Sequence, residues 1–238
     1  MRFASLLTSL LLCLFAMACA NDVDDDEGPD PMVGDDDDDD TAVGDDDDDD
    51  DDQISASCDD VVPTSGFGTI IGEYLPGFTL EECGAGVDAE FSLYGDSFCS
   101  VNEDGTLNRP KATFVAMAAG WCPPCRIETE ALTNGGIAAE YEPRGVRFVQ
   151  VVIHNNNPNR NTPADRAFCD GWVDQYNPSY PTLLNNPLVD VESNVLRGEA
   201  LPFSVVLDQD GRIVKADEGF NEANLRATLD EVLADAED

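Results

Sequence analysis

The chain has 238 residues, and its 50 acidic side chains against 12 lysines and arginines produce a formal net charge of −38. This length allows one ordinary domain with accessory segments. Of the acidic residues, 22 lie within 21–60, and the chain from Val61 onward still has 28 acidic against 11 basic residues. Because this charge would repel phosphate, the sequence predicts no nucleic-acid partner.

The N-terminus is predicted to be an export signal. Met1 and Arg2 precede an apolar run at 3–18 that is too short for a membrane-spanning helix. The end of this run resembles a bacterial lipoprotein signal in which Cys19 becomes the acylated first residue. Simple cleavage after Ala18 and an uncleaved anchor are the alternatives. We therefore expect a signal peptide at 1–18 and a lipid-anchored protein of the cell envelope, in the periplasm or at the outer membrane.

Residues 19–60 are predicted to form an acidic tether. One run of aspartates occupies 35–40 and a second occupies 45–52, each after a Val-Gly pair. Such a segment has little apolar surface to bury and its charges repel one another, so we expect it to be disordered and extended. Diffuse binding of hard cations such as Ca²⁺ is an alternative role for its carboxylates.

The remainder, 61–238, is predicted to be one α/β domain with a mixed central sheet flanked by helices and an N-terminal β-hairpin extension. Strands are expected at 74–80, 89–94, 111–118, 146–153, 180–184, 203–207 and 212–215. Helices are expected at 126–141 with a break at 134–136, at 163–176, and after Asn221. The first two strands are joined by a glycine-rich turn at 84–86, and the last two by Asp210-Gly211.

Two cysteines, Cys122 and Cys125, lie where a buried strand is predicted to turn into a helix. The free N–H groups and the dipole of a helix N-terminus favour an anion, so the pKa of Cys122 should be lowered and its thiolate nucleophilic. Cys125, one turn further on, could then attack a mixed disulfide formed at Cys122. Pro124 suits this position because a helix start needs no N–H from it.

Two other interpretations of this cysteine pair remain open. Half of a zinc site would require a second Cys pair or a His pair, and the chain has one His. A purely structural disulfide is the second alternative. The strand before the pair and the helix after it favour a redox function, because together they supply the electrostatic field that activates a thiol.

Residues 119–128, Ala-Gly-Trp-Cys-Pro-Pro-Cys-Arg-Ile-Glu, resemble the active-site segment of the thioredoxin-like thiol–disulfide oxidoreductases of bacterial envelopes, the TlpA/ResA branch of the redoxins. Residues 201–214 resemble the family's second conserved segment, a proline followed by two strands around an Asp-Gly turn. The resemblance extends from Gly72 to the C-terminus. It implies a thioredoxin fold in which Pro202 follows a cis peptide bond and faces the active cysteines.

The resemblance also implies an enzyme, a protein-disulfide reductase without a cofactor. Cys122 would attack the disulfide of an exported client protein, and Cys125 would resolve the mixed disulfide. Glu128 matches the family pattern C-x-x-C-x-x-E and is a candidate to exchange a proton with Cys125, although an exposed first-turn glutamate is the alternative. The substrate-binding residues would be Trp121, Pro123, Leu201 and Pro202.

Two positions depart from the related patterns. Glu130 stands where this family has proline, and Ala116 stands where thioredoxins proper have a buried aspartate. The expected partners are client proteins with cysteines or disulfides, and an electron-donor protein in the membrane. The alternative function is a thioredoxin-fold metal-binding module similar to copper chaperones, with His154 as a third ligand. A peroxiredoxin is a weaker alternative, because Ala119 replaces its threonine.

Four other cysteines, Cys58, Cys83, Cys99 and Cys169, allow three disulfide connectivities. Because Cys83 and Cys99 flank the two predicted hairpin strands, we expect them to be bonded to each other, which leaves Cys58 to pair with Cys169. Such disulfides would stabilise an exported domain. A third redox-active cysteine is the alternative.

Overall fold

The structure is a computed structural model that describes residues 61–102, 106–160, 162–196, 198 and 200–236. The predicted signal peptide, the lipidation site Cys19, the acidic tether and Cys58 lie outside these residues. The strands are β1 (Thr79–Glu82), β2 (Glu90–Ser92), β3 (Ala112–Ala119), β4 (Val146–His154), β5 (Thr182–Leu184), β6 (Phe203–Asp208) and β7 (Ile213–Glu218). The helices are α1 (Leu93–Phe98), α2 (Pro123–Leu132), α3 (Ile137–Tyr141), α4 (Arg166–Tyr176), α5 (Val191–Asn194) and α6 (Glu222–Asp235).

These strands form a seven-stranded sheet in the order β2-β1-β5-β4-β3-β6-β7. The central strands β3, β4 and β5 are parallel, and the outer pairs are antiparallel. Every residue of β3 is buried, as its continuous apolar sequence predicts for a strand covered on both faces. The predicted mixed sheet is therefore confirmed, and the N-terminal hairpin extends this sheet through β5.

Successive side chains of β3 point into two different hydrophobic cores, because side chains alternate across a strand. Phe114 packs with residues of α2, α3 and α6 in one core. Val115 and Met117 lie in the other core with Cys122, Cys125 and residues of α4. Among the described residues, no helix is long and apolar enough to cross a lipid bilayer.

The N-terminal hairpin forms as predicted, but its strands differ from the expected ones. Tyr74 forms an isolated bridge with Arg212, and regular pairing in β1 begins only at Thr79, after Pro76 and Gly77. The second strand ends at Ser92, whose hydroxyl accepts a 3.3 Å hydrogen bond from Gly95 N and caps α1. The expected continuation of this strand to residue 94 was wrong because a serine cap starts a helix there.

The predicted pairing of the outer cysteines is also wrong. Cys83 is bonded to Cys169, with Cα atoms 5.6 Å apart. The backbone explains this pairing, because the Gly84 N–H donates a 2.8 Å hydrogen bond to the Asp170 carboxylate and so holds the end of β1 against α4. The expected Cys83–Cys99 and Cys58–Cys169 disulfides therefore do not form. Cys99 follows α1 and is half-buried.

Candidate active site

The predicted strand-to-helix turn lies at the end of β3. Cys122 is the N-cap residue of α2, and the two prolines that follow occupy the first helical positions, where no N–H is required. The Gly120 N–H donates a 2.9 Å hydrogen bond to the His154 carbonyl, which fixes the turn against the end of β4. The cysteines therefore lie at the carboxyl ends of two parallel, buried strands.

Cys122 and Cys125 are joined by a disulfide, with Cα atoms 5.3 Å apart. Cys122 is 2% exposed and Cys125 is 0% exposed, so the second sulfur is the more deeply enclosed. The backbone N–H of Cys125 donates a hydrogen bond to the Cys122 Sγ at 3.2 Å. Such a donor, together with the helix dipole, favours negative charge on this sulfur once the disulfide is reduced.

Gly120 is required by close packing at the turn. A Cβ atom at this position would lie 2.3 Å from the Phe168 ring and 2.8 Å from the backbone nitrogen of Asn156. Phe168 belongs to α4, which also holds the disulfide-bonded Cys169. The active-site turn therefore packs directly on the helix that the Cys83–Cys169 disulfide holds in place.

Glu128 lies in α2, three residues after Cys125, and is 1% exposed. Burial raises the pKa of its carboxyl group well above 4.5. Its Oε2 atom has no hydrogen-bond partner among the described residues, and it lines a small cavity with Ser204 and Phe114. The alternative of an exposed first-turn glutamate is therefore wrong. A buried carboxyl group one helical turn after Cys125 is able to hold or accept a proton.

The Leu201–Pro202 peptide bond is cis, as the resemblance implied. Pro202 directly precedes β6, whose antiparallel register pairs Phe203 with Met117 of β3. This register places Pro202 at the end of the sheet where β3 leads into the cysteines. Leu201 packs against the same hydrophobic core that contains Cys122.

Comparison with known proteins identifies the family. The redoxin family model matches residues 89–233, which is more than half of the chain. The chain belongs to the redoxin family. This redoxin is therefore a redox protein with a thioredoxin-like fold. No curated protein matches the chain in sequence.

Solved structures resemble this redoxin in fold at low sequence identity. A hypothetical protein from Sinorhizobium meliloti 1021 is 19% identical, with a TM-score of 0.53, and the alignment covers 71% of this chain and 86% of that one. The thioredoxin domain of a thiol-disulfide oxidoreductase from Bacteroides vulgatus is 16% identical, with a TM-score of 0.50 and coverage of 70% and 99%. A thiol:disulfide interchange protein from a Bacteroides species is 17% identical, with a TM-score of 0.50 and coverage of 70% and 91%.

A buried polar network behind the cysteines was not predicted. The Gln150 side chain donates a 2.8 Å hydrogen bond to the Thr129 hydroxyl and accepts one of 3.0 Å from the Trp172 indole N–H. The Thr129 hydroxyl in turn donates to the Cys125 carbonyl at 2.9 Å. The signal in the sequence was a single glutamine inside the apolar run of β4. This network connects β4 and α4 of the redoxin domain to the first turn of α2.

Trp121, directly before Cys122, contacts two polar side chains. Its ring stacks on His154 with centroids 6.4 Å apart, and the Arg160 guanidinium lies 5.1 Å from its centroid. His154 Nε2 is 3.4 Å from a carboxylate oxygen of Glu192. No group of three His, Cys, Asp or Glu side chains among the described residues is arranged to hold a metal ion. The His154 side chain thus contacts the Trp121 ring and the Glu192 carboxylate.

Proposed function

We propose that this protein is a thiol–disulfide oxidoreductase that uses Cys122 and Cys125 to reduce disulfides of exported client proteins. One observation carries the proposal, namely that the two sulfurs are bonded to each other at the first turn of α2, with the Cys125 N–H donating to Cys122 Sγ. This arrangement stores two electrons in the reduced form and lowers the free energy of a thiolate at Cys122. The redoxin fold around it supports the same function.

The reaction proceeds in two thiol–disulfide exchange steps. In the first step, the Cys122 thiolate attacks one sulfur of the client disulfide, a mixed disulfide forms, and the other client sulfur leaves as a thiolate that takes up a proton. In the second step, Cys125 loses its proton and attacks Cys122 Sγ, which releases the second client thiolate. The protein ends with the Cys122–Cys125 disulfide, and the client ends with two thiols.

Glu128 is proposed to receive the proton of Cys125 in the second step. The i, i+3 spacing places the two residues on the same buried side of α2. Since burial raises the pKa of Glu128, its carboxylate is a stronger base than an exposed glutamate. The thiol of Cys125 has no exposure to water, so a buried proton acceptor shortens the path of its proton.

The client is proposed to bind on the surface around the turn, against Trp121, Pro123, Leu201 and Pro202. The last two precede β6, and a client segment is proposed to bind beside them in an extended conformation. Export, acylation at Cys19 and the tether at 19–60 are proposed from the sequence. They would place the domain at a membrane surface, where a membrane protein would return electrons to the Cys122–Cys125 disulfide.

The first test is the reduction potential of the cysteine pair, measured by equilibrating the purified protein with glutathione or dithiothreitol buffers. A potential near or below that of thioredoxin, about −270 mV, would support a reductase. A potential near −120 mV would make the protein an oxidant and would contradict the proposed direction. The Cys122→Ser variant is the control, because it should show no reversible couple at this site.

A further inference from the structure

Two arginine side chains are held on the two residues that precede Cys122. The Arg126 Nε donates a 3.0 Å hydrogen bond to the Gly120 carbonyl, and its Nη2 donates to the same oxygen. The Arg160 guanidinium lies over the ring of Trp121, 5.1 Å from its centroid. Both side chains are exposed. Two exposed cationic side chains are therefore held on the residues next to the proposed nucleophile, Cys122.

Neither guanidinium has an ion-pair partner within the part of the chain that the structure describes. Arg144, Arg166 and Arg226, by contrast, each lie within 4.0 Å of a carboxylate oxygen. A guanidinium has five N–H donors, and Arg126 uses only those that reach the Gly120 carbonyl. In a chain with 50 acidic and 12 basic side chains, two cations without a carboxylate are left available at the proposed reaction site.

Two acidic residues linked to this site already have partners. Glu192 pairs with His154 at 3.4 Å, and His154 stacks on the Trp121 ring. Glu130 of α2 accepts a 2.9 Å hydrogen bond from the side-chain amide of Asn134. Among the described residues, no carboxylate oxygen lies within 4.0 Å of either guanidinium group, and salt screens exposed charges beyond about 8 Å at physiological ionic strength. Contact at the site is therefore decided by Arg126 and Arg160.

Beside Arg126 a groove of about 330 Å³ opens between the turn and α4. Its lining includes the rings of Phe168, Trp172 and Tyr176, and Trp172 contacts both of the other rings. Gly120 and Arg126 also line this groove. A peptide lying here would place an apolar side chain on the rings and would bring its neighbouring residue to the guanidinium.

We infer that Arg126 and Arg160 make the protein select client segments that carry a carboxylate next to the reactive disulfide. This inference rests on the proposed reductase function and specifies its substrate class. A guanidinium binds a carboxylate through two parallel hydrogen bonds, which gives both attraction and a defined orientation. Exposed ion pairs are weak, so the expected preference for an acidic over a neutral neighbour is roughly fivefold in rate constant.

The test compares three short peptides, each with an intramolecular disulfide. They differ only in the residue beside this disulfide, and that residue is Glu, Gln or Lys. Reduced protein is mixed with each peptide, and the reaction is followed by tryptophan fluorescence. The second-order rate constant is obtained from these time courses. The expected order is Glu, then Gln, then Lys. Arg126→Gln and Arg160→Gln should each bring the Glu-to-Gln ratio towards one. Arg144→Gln, which loses an ion pair with Asp230 instead, should leave this ratio unchanged.

The ratio separates recognition from effects on the thiolate. Loss of a nearby positive charge, or of the Gly120 contact, would slow the reaction of Cys122 with all three peptides by the same factor. Only loss of contact with the peptide carboxylate changes the ratio. Equal rate constants for the three peptides with the unaltered protein, or a preference for Lys, would overturn the inference and leave the reductase function standing.

A binding measurement that requires no disulfide exchange tests the inference even if the protein reduces no peptide. The same peptides with serine in place of both cysteines are titrated into the ¹⁵N-labelled, oxidised protein, and the indole N–H signals of its two tryptophans are followed by NMR. Tighter binding of the Glu peptide, lost in Arg160→Gln, would support the inference even if the reductase function failed. If no peptide is reduced and the Glu peptide binds no more tightly than the Lys peptide, both are wrong.

Discussion

The side-chain amide of Gln150 donates a 2.8 Å hydrogen bond to the hydroxyl of Thr129, which in turn donates to the Cys125 carbonyl. All of these atoms are buried. The glutamine therefore supports the first turn of α2 from behind, at a position that no substrate reaches. Hydrogen bonds of this kind are worth more in a buried network than at the surface, because a lost bond cannot be replaced by water.

Gln150→Leu is predicted to destabilise the protein by about 1–3 kcal/mol, because the Trp172 indole N–H is left without its buried acceptor. Urea unfolding measures this loss. The exposed Gln209→Leu is the matched control and should change stability little. In the Gln150→Leu, Trp172→Phe double variant both ends of one bond are removed, so the loss should be smaller than the sum of the single losses. Additive losses would contradict the network.

Glu128 is predicted to make stability fall as pH rises. Its pKa in the folded protein lies well above 4.5, so the folded state keeps the proton where the unfolded state releases it. The stabilisation is complete below pH 4.5 and decreases as pH rises towards the folded pKa, by up to about 1.4 kcal/mol per pH unit. Glu128→Gln removes this dependence, so the variant should gain stability relative to the unaltered protein between pH 4.5 and 7.

The matched control for this pH dependence is Glu130→Gln, an exposed position two residues further along α2. Since this variant keeps Glu128, the fall in stability that Glu128 causes should still be present. Parallel stability curves for Glu128→Gln and the unaltered protein across this range would show that Glu128 ionises normally. That result would also remove the basis for its proposed part in proton transfer.

Gly120→Ala is predicted to disturb the active-site turn. The added methyl group would lie 2.3 Å from the Phe168 ring and 2.8 Å from a backbone nitrogen, so either α4 or the turn must move, at a cost of about 1–3 kcal/mol. We expect a lower Tm and a shifted reduction potential. Gly171→Ala in α4 meets nothing within 4 Å and should stabilise the helix by about 0.5–1 kcal/mol.

The Cys83–Cys169 disulfide joins residues 86 positions apart. Chain-entropy arguments assign about 4.6 kcal/mol to the constraint that such a long loop imposes on the unfolded chain. Replacing both cysteines by serine is therefore predicted to lower the Tm strongly, as measured by calorimetry. If α4 holds the active-site turn through Phe168, the double variant should also shift the potential of the Cys122–Cys125 pair. An unchanged Tm would show that packing alone holds α4.

Features that depend on a few consecutive residues were predicted correctly from the sequence. Cys122 lies at the N-terminus of α2 as expected, although the helix starts at Pro123 instead of residue 126, and Asn221 caps α6 by accepting a 3.0 Å hydrogen bond from Asn224 N. The Asp210-Gly211 turn joins β6 and β7, with Gly211 at φ 85°. Glycine adopts this positive φ without steric cost, so the sequence alone indicates the turn. The start of α1 at Ser92 was missed because its cap lies inside an apolar run.

The sequence by itself determined the turn that holds Cys122 and Cys125, the strand before it and the helix after it, because short-range sterics and hydrogen bonds link neighbouring residues. Only the tertiary structure decided that Cys83 bonds Cys169, that Gln150 reaches Thr129, and that Arg160 lies over Trp121. Each of these contacts joins residues at least 20 positions apart. Such contacts depend on which strands and helices become neighbours when the apolar surfaces of the whole domain are buried.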